Sequence, residues 1–435
     1  MAQNVSQQFR NEAQSIVEAS MNDDEGWDRL TKFVDKFGHR FSGSESLERS
    51  LDFLIDQAKK DGFDVWTQPV KVPKWVRGEE SATLISPREM DLPMLGLGGS
   101  IGTGPTGVTA EVMVVKSFDE LYERKDEVQG KIVLYNVAFT SYGATVQYRS
   151  NGAVEAAKYG AVASLVRSVG PYSMQTPHTG NSRYQEDVKK IPHAAITMEH
   201  SMLIQRMVDN GEKVRVRLQM SAQTFPDADS RNVIVELKGT EKPEEIIVLG
   251  GHIDSWDVGQ GAMDDAGGCF AALEALRMIK ELGLKPKRTI RVVLWTNEEN
   301  GLRGGNAYRD AVQQDGSLDK HVLAMESDGG VFDPIGFGFS GSDEAFKILT
   351  DIGTLLSSIE SGVVSKGGGG ADIGPIMREG VPGMGLNVNG ERYFWYHHTA
   401  ADTIDKLDAE DYKECIATMA VFAFVVADME QTLPR

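Results

Sequence analysis

This sequence predicts an α/β fold with a mostly parallel sheet and helices on both faces. Strand and helix patterns alternate after residue 231, and acidic and imidazole side chains gather where the expected strands end. A chain of 435 residues is also too long for one ordinary core, so a second domain is expected.

Residues 10–60 read as helices, because Ile16, Trp27, Leu30, Phe33 and Val34 recur at helical spacing. Asp64 to Val72 reads as a strand, and a Gly-rich zone follows from Gly96 to Gly107. Short elements come next: Glu111 to Val115, Lys131 to Tyr135, Ala153 to Lys158, Ala161 to Arg167 and Ala194 to Ile196. Phe225-Pro226-Asp227-Ala228-Asp229-Ser230 is turn-rich and marks a boundary. Beyond it, Val233 to Leu237 and Glu245 to Leu249 are β-rich, and Ala266 to Leu282 is helical. Thr289 to Thr296 is an apolar strand, Gly301 to Val312 is helical, and Val322 to Met325 is a short strand. This order implies parallel strands whose C-terminal ends share one edge, where such folds place their sites.

At 41% hydrophobic and 25% charged, the composition is that of a soluble globular protein. The longest apolar helix candidate, Ala417 to Ala427, is too short to span a bilayer and reads as buried near the C-terminus. The polar start Met1-Ala2-Gln3-Asn4 has no signal-peptide character. A net charge of −19 argues against nucleic acid as a partner, since phosphate binding needs clustered Lys and Arg. Cys269 and Cys415 fit neither a zinc ribbon nor a redox pair, and each falls in an expected buried helix.

The chemistry gathers at the strand ends. Gly250-Gly251-His252-Ile253-Asp254-Ser255 and Met263-Asp264-Asp265-Ala266-Gly267-Gly268 lie in the first strand-to-helix connection. His252 offers an imidazole nitrogen, and Asp254 is placed to accept its other ring N–H and fix the tautomer. Asp264 stands just before the helix, and Asp265 reads as its N-cap. Asn297-Glu298-Glu299 ends the next strand, Glu326-Ser327-Asp328 the one after, and Tyr396-His397-His398-Thr399 adds a second imidazole. Two histidines and three carboxylates suit zinc, which takes both N and O ligands. They fill two sites if Asp264 bridges: His252, Asp328 and Asp264 for one ion, and Glu299, His398 and Asp264 for the other. Each piece alone is weak, because a Glu-Glu pair is usually a solvated surface and a lone His is usually structural or exposed. Carboxylates that end apolar strands are poor choices for stability, so a site is the better account.

From Gly250 through Asp402 the chain resembles the co-catalytic zinc exopeptidases of aminopeptidase-like αβα fold. The run Gly251-His252-Ile253-Asp254-Ser255-Trp256-Asp257 through Asp265 carries the resemblance, with Leu294-Trp295-Thr296-Asn297-Glu298-Glu299 and Met325-Glu326-Ser327-Asp328. Tyr142 to Gly180 and Val426-Ala427-Asp428-Met429-Glu430 extend it to nearly the whole chain. It implies that His252, Asp264, Glu299, Asp328 and His398 hold two zinc ions and that Glu298 is the general base, a choice the residues themselves leave open. It also implies catalytic parts at residues 1–95 and 225–435, and a protease-associated domain inserted at 96–224. The substrates implied are short peptides, above all dipeptides with both ends free. A homodimer that is exported or lysosomal is implied as well. The rivals are a broad aminopeptidase of the same fold, a one-zinc glutaminyl cyclase, and a receptor-type domain that only binds. Complete ligand sets and the intact Glu298 disfavour the last two.

Other motifs carry less. Gly98-Gly99-Ser100-Ile101-Gly102 matches G-x-S-x-G but runs into Thr103-Gly104-Pro105 instead of a helix. Gly102 to Gly107 and Gly336 to Gly341 match G-x-G-x-x-G without its βαβ context, and both read as turns. Gly367 to Gly370 reads equally as a substrate-facing loop or a linker. His39, His178, His193, His200 and His321 read as structural or exposed, whereas His397 competes with His398 or touches substrate.

Overall fold

The computed structural model describes residues 5–435, which form two compact units. The first holds the chain up to Val72, Ala228–Tyr393 and Asp402–Arg435, and the second holds Pro73–Asp227 and Phe394–Ala401.

The first unit is built on an eight-stranded mixed sheet. Strand Lys242–His252 lies at its centre, parallel to Arg288–Trp295 on one side and to His321–Glu326 on the other. Parallel neighbours need crossovers. Helix Gly267–Glu281 supplies the first and helix Arg303–Gln314 the second. The register aligns His252 with Trp295 and Gly250 with Glu326, so the three C-terminal ends share one edge. Gln223–Leu237 runs antiparallel to Arg288–Trp295, and Pro334–Ser340 runs antiparallel to Gly383–Val388, which makes the sheet mixed.

Val248, Val293, Trp295 and Ala324 are buried on one face with Tyr308 and Ile376. Helix Gly267–Glu281 packs against Ala409–Asp428, which is buried almost throughout from Tyr412 to Ala427, as the sequence implies for its apolar part. Asp408 caps that helix by accepting the N–H groups of Glu410 (2.8 Å) and Asp411 (3.3 Å). Cys269 and Cys415 are buried and free, each in one of these helices. No helix among the described residues is long and apolar enough to cross a membrane. The expected N-terminal helices are Arg10–Met21, Glu25–Phe37 and Glu45–Lys60, and the strand after them runs on to Val76.

The second unit has its own eight-stranded sheet with a parallel centre: Val108–Val115, Ile132–Tyr135, Ala163–Arg167 and His193–Ile196. Alternate residues point to opposite faces. Leu134, Leu165 and Ile196 therefore enter one apolar core, while Val133, Tyr135 and Val166 enter the other. Helix Tyr142–Ala157 begins well before the expected Ala153, because Ser141 caps it by accepting the Ala144 N–H at 3.3 Å. Its first half carries little apolar periodicity to read from sequence.

Ser100 of the G-x-S-x-G match is fully buried, and its Oγ accepts the His193 N–H at 2.9 Å, a structural role. Gly336 to Ser340 lies within a strand. Gly367 to Gly370 forms a loop without regular structure that packs closely at Gly368 and Gly370. A Cβ on Gly368 would lie 2.2 Å from the Gly338 backbone, and one on Gly370 2.1 Å from the Glu326 carboxyl carbon.

Candidate metal centre

His252 ends the central strand and is 1% exposed. Its Nδ1 lies 2.9 Å from the Asp254 carbonyl oxygen, which accepts the ring N–H, so Nε2 is the nitrogen whose lone pair can meet a metal. Nε2 faces Asp264 Oδ1 at 3.0 Å and Asp328 Oδ1 at 3.3 Å, and neither contact has hydrogen-bond geometry. A buried nitrogen aimed between two carboxylate oxygens is the arrangement a cation completes.

The carboxylate of Asp254 does not fix the His252 tautomer, since its Oδ1 is 3.9 Å from Nδ1. It reaches the next strand end instead. Asp254 accepts the backbone N–H of Glu298 at 3.0 Å and of Glu299 at 3.4 Å, and the Ser42 hydroxyl at 3.2 Å. Sequence proximity suggested the imidazole because the backbone carbonyl of the same residue could not be weighed against its side chain.

Asp264 lies in the turn Ala262–Ala266, entered through left-handed Gly261 at φ 55°. The turn is anchored by Asp402, whose carboxylate accepts the N–H groups of Met263 (2.7 Å) and Asp264 (3.2 Å). Oxygens of Asp264 and Glu299 gather with the His252 nitrogen within 4.8 Å of one another, and a second group joins His252, Asp265 and Asp328. Glu299 is 9% exposed, and its Oε1 accepts the Trp256 N–H at 3.2 Å. Asp265 serves the backbone: its carboxylate accepts the N–H groups of His252 (3.1 Å) and Gly268 (3.2 Å), the second an N-cap-like bond. Gly251 leaves room for it, because a Cβ there would sit 2.1 Å from Asp265 Oδ2.

His398 lies in the second unit, in the segment Phe394–Ala401. It adopts φ 59° and is 8% exposed, and its carbonyl accepts the Thr179 N–H at 2.9 Å. Its ring stacks on His397 with centroids 3.5 Å apart, and Nδ1 is 3.4 Å from an Arg149 nitrogen.

The carboxyls of the centre are held above their ordinary range. Burial, then the charges of Asp328, Asp254 and Asp264, pushes Glu298 up to about 8 despite His252. Burial likewise raises Glu299, with Asp264 and Glu298 adding to it, and raises Asp328. Burial opposes protonation of His252, but Asp264 and Asp328 outweigh it and raise its pKa well above the ordinary value. So many negative groups around one imidazole call for added positive charge. The N and O donor set fits zinc.

Several residues that hold the centre escaped the sequence reading. Arg40 is fully buried and donates to the carbonyls of Gly38, Ile253, Gln260 and Gly261, which clamps the loop beyond His252. Glu326 accepts the N–H groups of Asp372 (3.3 Å) and Ile373 (2.8 Å). An isolated Arg or Asp has no local pattern that shows which distant backbone it will meet.

The profile of peptidase family M28 matches residues 232–423. Carboxypeptidase Q of Xenopus laevis is 47% identical, over 98% of this chain and 92% of its own length. The Homo sapiens carboxypeptidase Q is also 47% identical, over 94% of this chain and 86% of its own. The crystal structure of a peptidase M28 precursor from Shewanella amazonensis SB2B superposes with a TM-score of 0.92 at 34% identity, covering 98% of both chains. With the strand-end centre already in view, these likenesses show that the chain belongs to peptidase family M28.

Proposed function

We propose that this metallo-exopeptidase is a dipeptidase working with two zinc ions bridged by Asp264. His252 and Asp328 would complete one set of ligands, and Glu299 and His398 the other. The observation that carries this reading is the His252 Nε2 facing Asp264 and Asp328, with Glu298 beside them on the same sheet edge. Bound there, zinc supplies Lewis acidity toward the scissile carbonyl and the attacking water.

The chain's own residues supply the rest. Glu298 takes a proton from the water at a carboxylate oxygen and passes it to the leaving amine. Asp254 holds the Glu298 backbone, Asp402 holds the Asp264 turn and Arg40 holds the loop between them. The inserted segment is read as a protease-associated domain, and the protein as a homodimer, on family resemblance. Free dipeptides are favoured because relatives 47% identical are carboxypeptidases while the carboxylate-rich centre suits a substrate ammonium. A buried charge left without a partner is costly, so both substrate ends matter.

The test is a panel of an unblocked dipeptide, its N-acetyl form, its amide and an amino-acid anilide, assayed with zinc and after chelation, beside a metal count. We expect two zinc ions per chain and fast cleavage of the unblocked dipeptide alone. Equal cleavage of the anilide means a broad aminopeptidase, and good cleavage of the N-acetyl form means a true carboxypeptidase. Full activity with one ion or none refutes the two-ion reading.

A further inference from the structure

The second unit contains a pocket of about 480 Å³ unrelated to the metal ligands. Lys116 enters it from just beyond strand Val108–Val115, Asn136 from just beyond Ile132–Tyr135, and Arg167 from the last position of Ala163–Arg167. These strands are parallel neighbours, so the pocket sits at their C-terminal ends, where open α/β sheets hold ligands. Helix Met198–Asp209 adds Met202, Gln205 and Arg206.

The lining has three cations and no carboxylate, in a chain with 64 acidic and 45 basic residues. None of Lys116, Arg167 and Arg206 makes an ion pair among the described residues, and the Arg167 Nε is buried without a hydrogen-bond partner. Nearby acids are engaged elsewhere. Glu120 accepts the Lys116 backbone N–H at 2.8 Å, Asp209 accepts from Gln205 Nε2 at 2.9 Å, and Glu199 accepts from the Ser173 hydroxyl. Burial lowers the pKa of Arg167, opposed by Glu199, so its charge lacks full compensation.

Three like charges converging on one pocket repel unless an anion joins them. The volume lies in the range of small-molecule sites and exceeds what an inorganic ion fills. Met202, 42% exposed, offers an apolar surface, and Asn136 and Gln205, joined by a 3.4 Å hydrogen bond from Asn136 Nδ2 to Gln205 Oε1, add polar groups to the wall. We propose that this pocket binds a small organic anion carrying two acidic groups, carboxylate or phosphate, gripped by Arg167, Lys116 and Arg206. A guanidinium fork matches both groups.

The test is calorimetric titration of the full chain with glutarate, fructose 1,6-bisphosphate and inorganic phosphate at millimolar concentration, followed by Arg167→Gln, Lys116→Gln and Arg206→Gln. We expect one saturable site for glutarate or fructose 1,6-bisphosphate, which decides between the acid types. Each variant should weaken it about tenfold or more. Thermal melting by circular dichroism checks folding. Should Arg167→Gln not fold, the exposed Lys116 and Arg206 carry the test. The proposal falls if neither organic anion saturates, if the variants leave affinity unchanged (binding then belongs to the metal centre), or if inorganic phosphate binds as tightly as both.

Discussion

Asp254→Asn separates two roles for a carboxylate beside His252, the proposed metal ligand. If Asp254 fixed the His252 tautomer through its side chain, the amide would weaken zinc binding about 10–100-fold. The structure gives that task to the Asp254 carbonyl at 2.9 Å, which the substitution keeps. What changes is the grip on Glu298 and Glu299. The carboxylate accepts N–H groups at 3.0 and 3.4 Å and the Ser42 hydroxyl at 3.2 Å. An amide keeps one acceptor oxygen. If that oxygen stays with Glu298, the new NH₂ faces Glu299; Ser42 can turn and accept, but the Glu299 N–H cannot. Losing one charge-assisted bond and weakening another amounts to about 2–3 kcal/mol. If that loss appears as misplacement of Glu298, kcat falls about 30–150-fold. The assay is steady-state cleavage of an unblocked dipeptide with zinc content measured after dialysis. Zinc near wild type with reduced kcat is expected. Loss of zinc with unchanged kcat per bound ion would refute the reasoning.

Glu298→Gln should lower turnover about 10²–10⁴-fold with metal content intact, because the amide cannot take a proton; a lost zinc would exchange the roles of Glu298 and Glu299. Asp264→Ala should strip both ions while His252→Ala chiefly weakens one, and equal losses by metal analysis would count against the bridge. Arg40→Met should destabilise the fold by on the order of 3–5 kcal/mol, because four carbonyls lose their donor. A melting curve that matches wild type would show the clamp to be dispensable.

The strands and most of the helices of the first unit were legible because their periodicity is strong and their crossovers follow chain order. The last pairings of the sheet were not, since the antiparallel match of Pro334–Ser340 with Gly383–Val388 joins segments separated by helices Asp343–Gly353 and Gly374–Met377 and strand Val363–Lys366. At the site, His252 and the acids at strand ends announce themselves by placement. Glu298 and Glu299 could not be told apart, because adjacent residues differ in direction and sequence does not show which way each points. The structure buries Glu299 more deeply and bonds it to the Trp256 N–H. Arg40 and Asp402 act through backbone atoms more than a hundred residues away, so nothing local marks them.

The charge held in this centre also makes stability depend on pH in a direction that zinc should reverse. Burial pushes Glu298 up to about 8 and raises Glu326 and Asp402 to about 7. Unfolded carboxyls titrate near 4. Between those values the folded metal-free chain binds more protons than the unfolded chain, so its stability falls as pH rises. Buried histidines act oppositely. Burial holds His178, His193 and His321 down at about 4, so the folded chain binds fewer protons there and loses stability as pH falls below about 6.5. The two sets oppose one another from about pH 4 to 6.5; between about 6.5 and 8 the carboxyls act without that opposition, and His252, held up against burial by Asp264 and Asp328, works in their direction. Zinc replaces the protons that the carboxyls need, so binding releases them and strengthens with pH. Chelated protein should therefore melt lower at pH 8 than at pH 6.5, and added zinc should raise Tm more at pH 8. Scanning calorimetry at the two pH values, with chelator and with zinc, measures both. A chelated protein whose Tm is flat or rises across that interval would mean that the buried acids are compensated within the chain and that the centre does not require a metal to balance its charge.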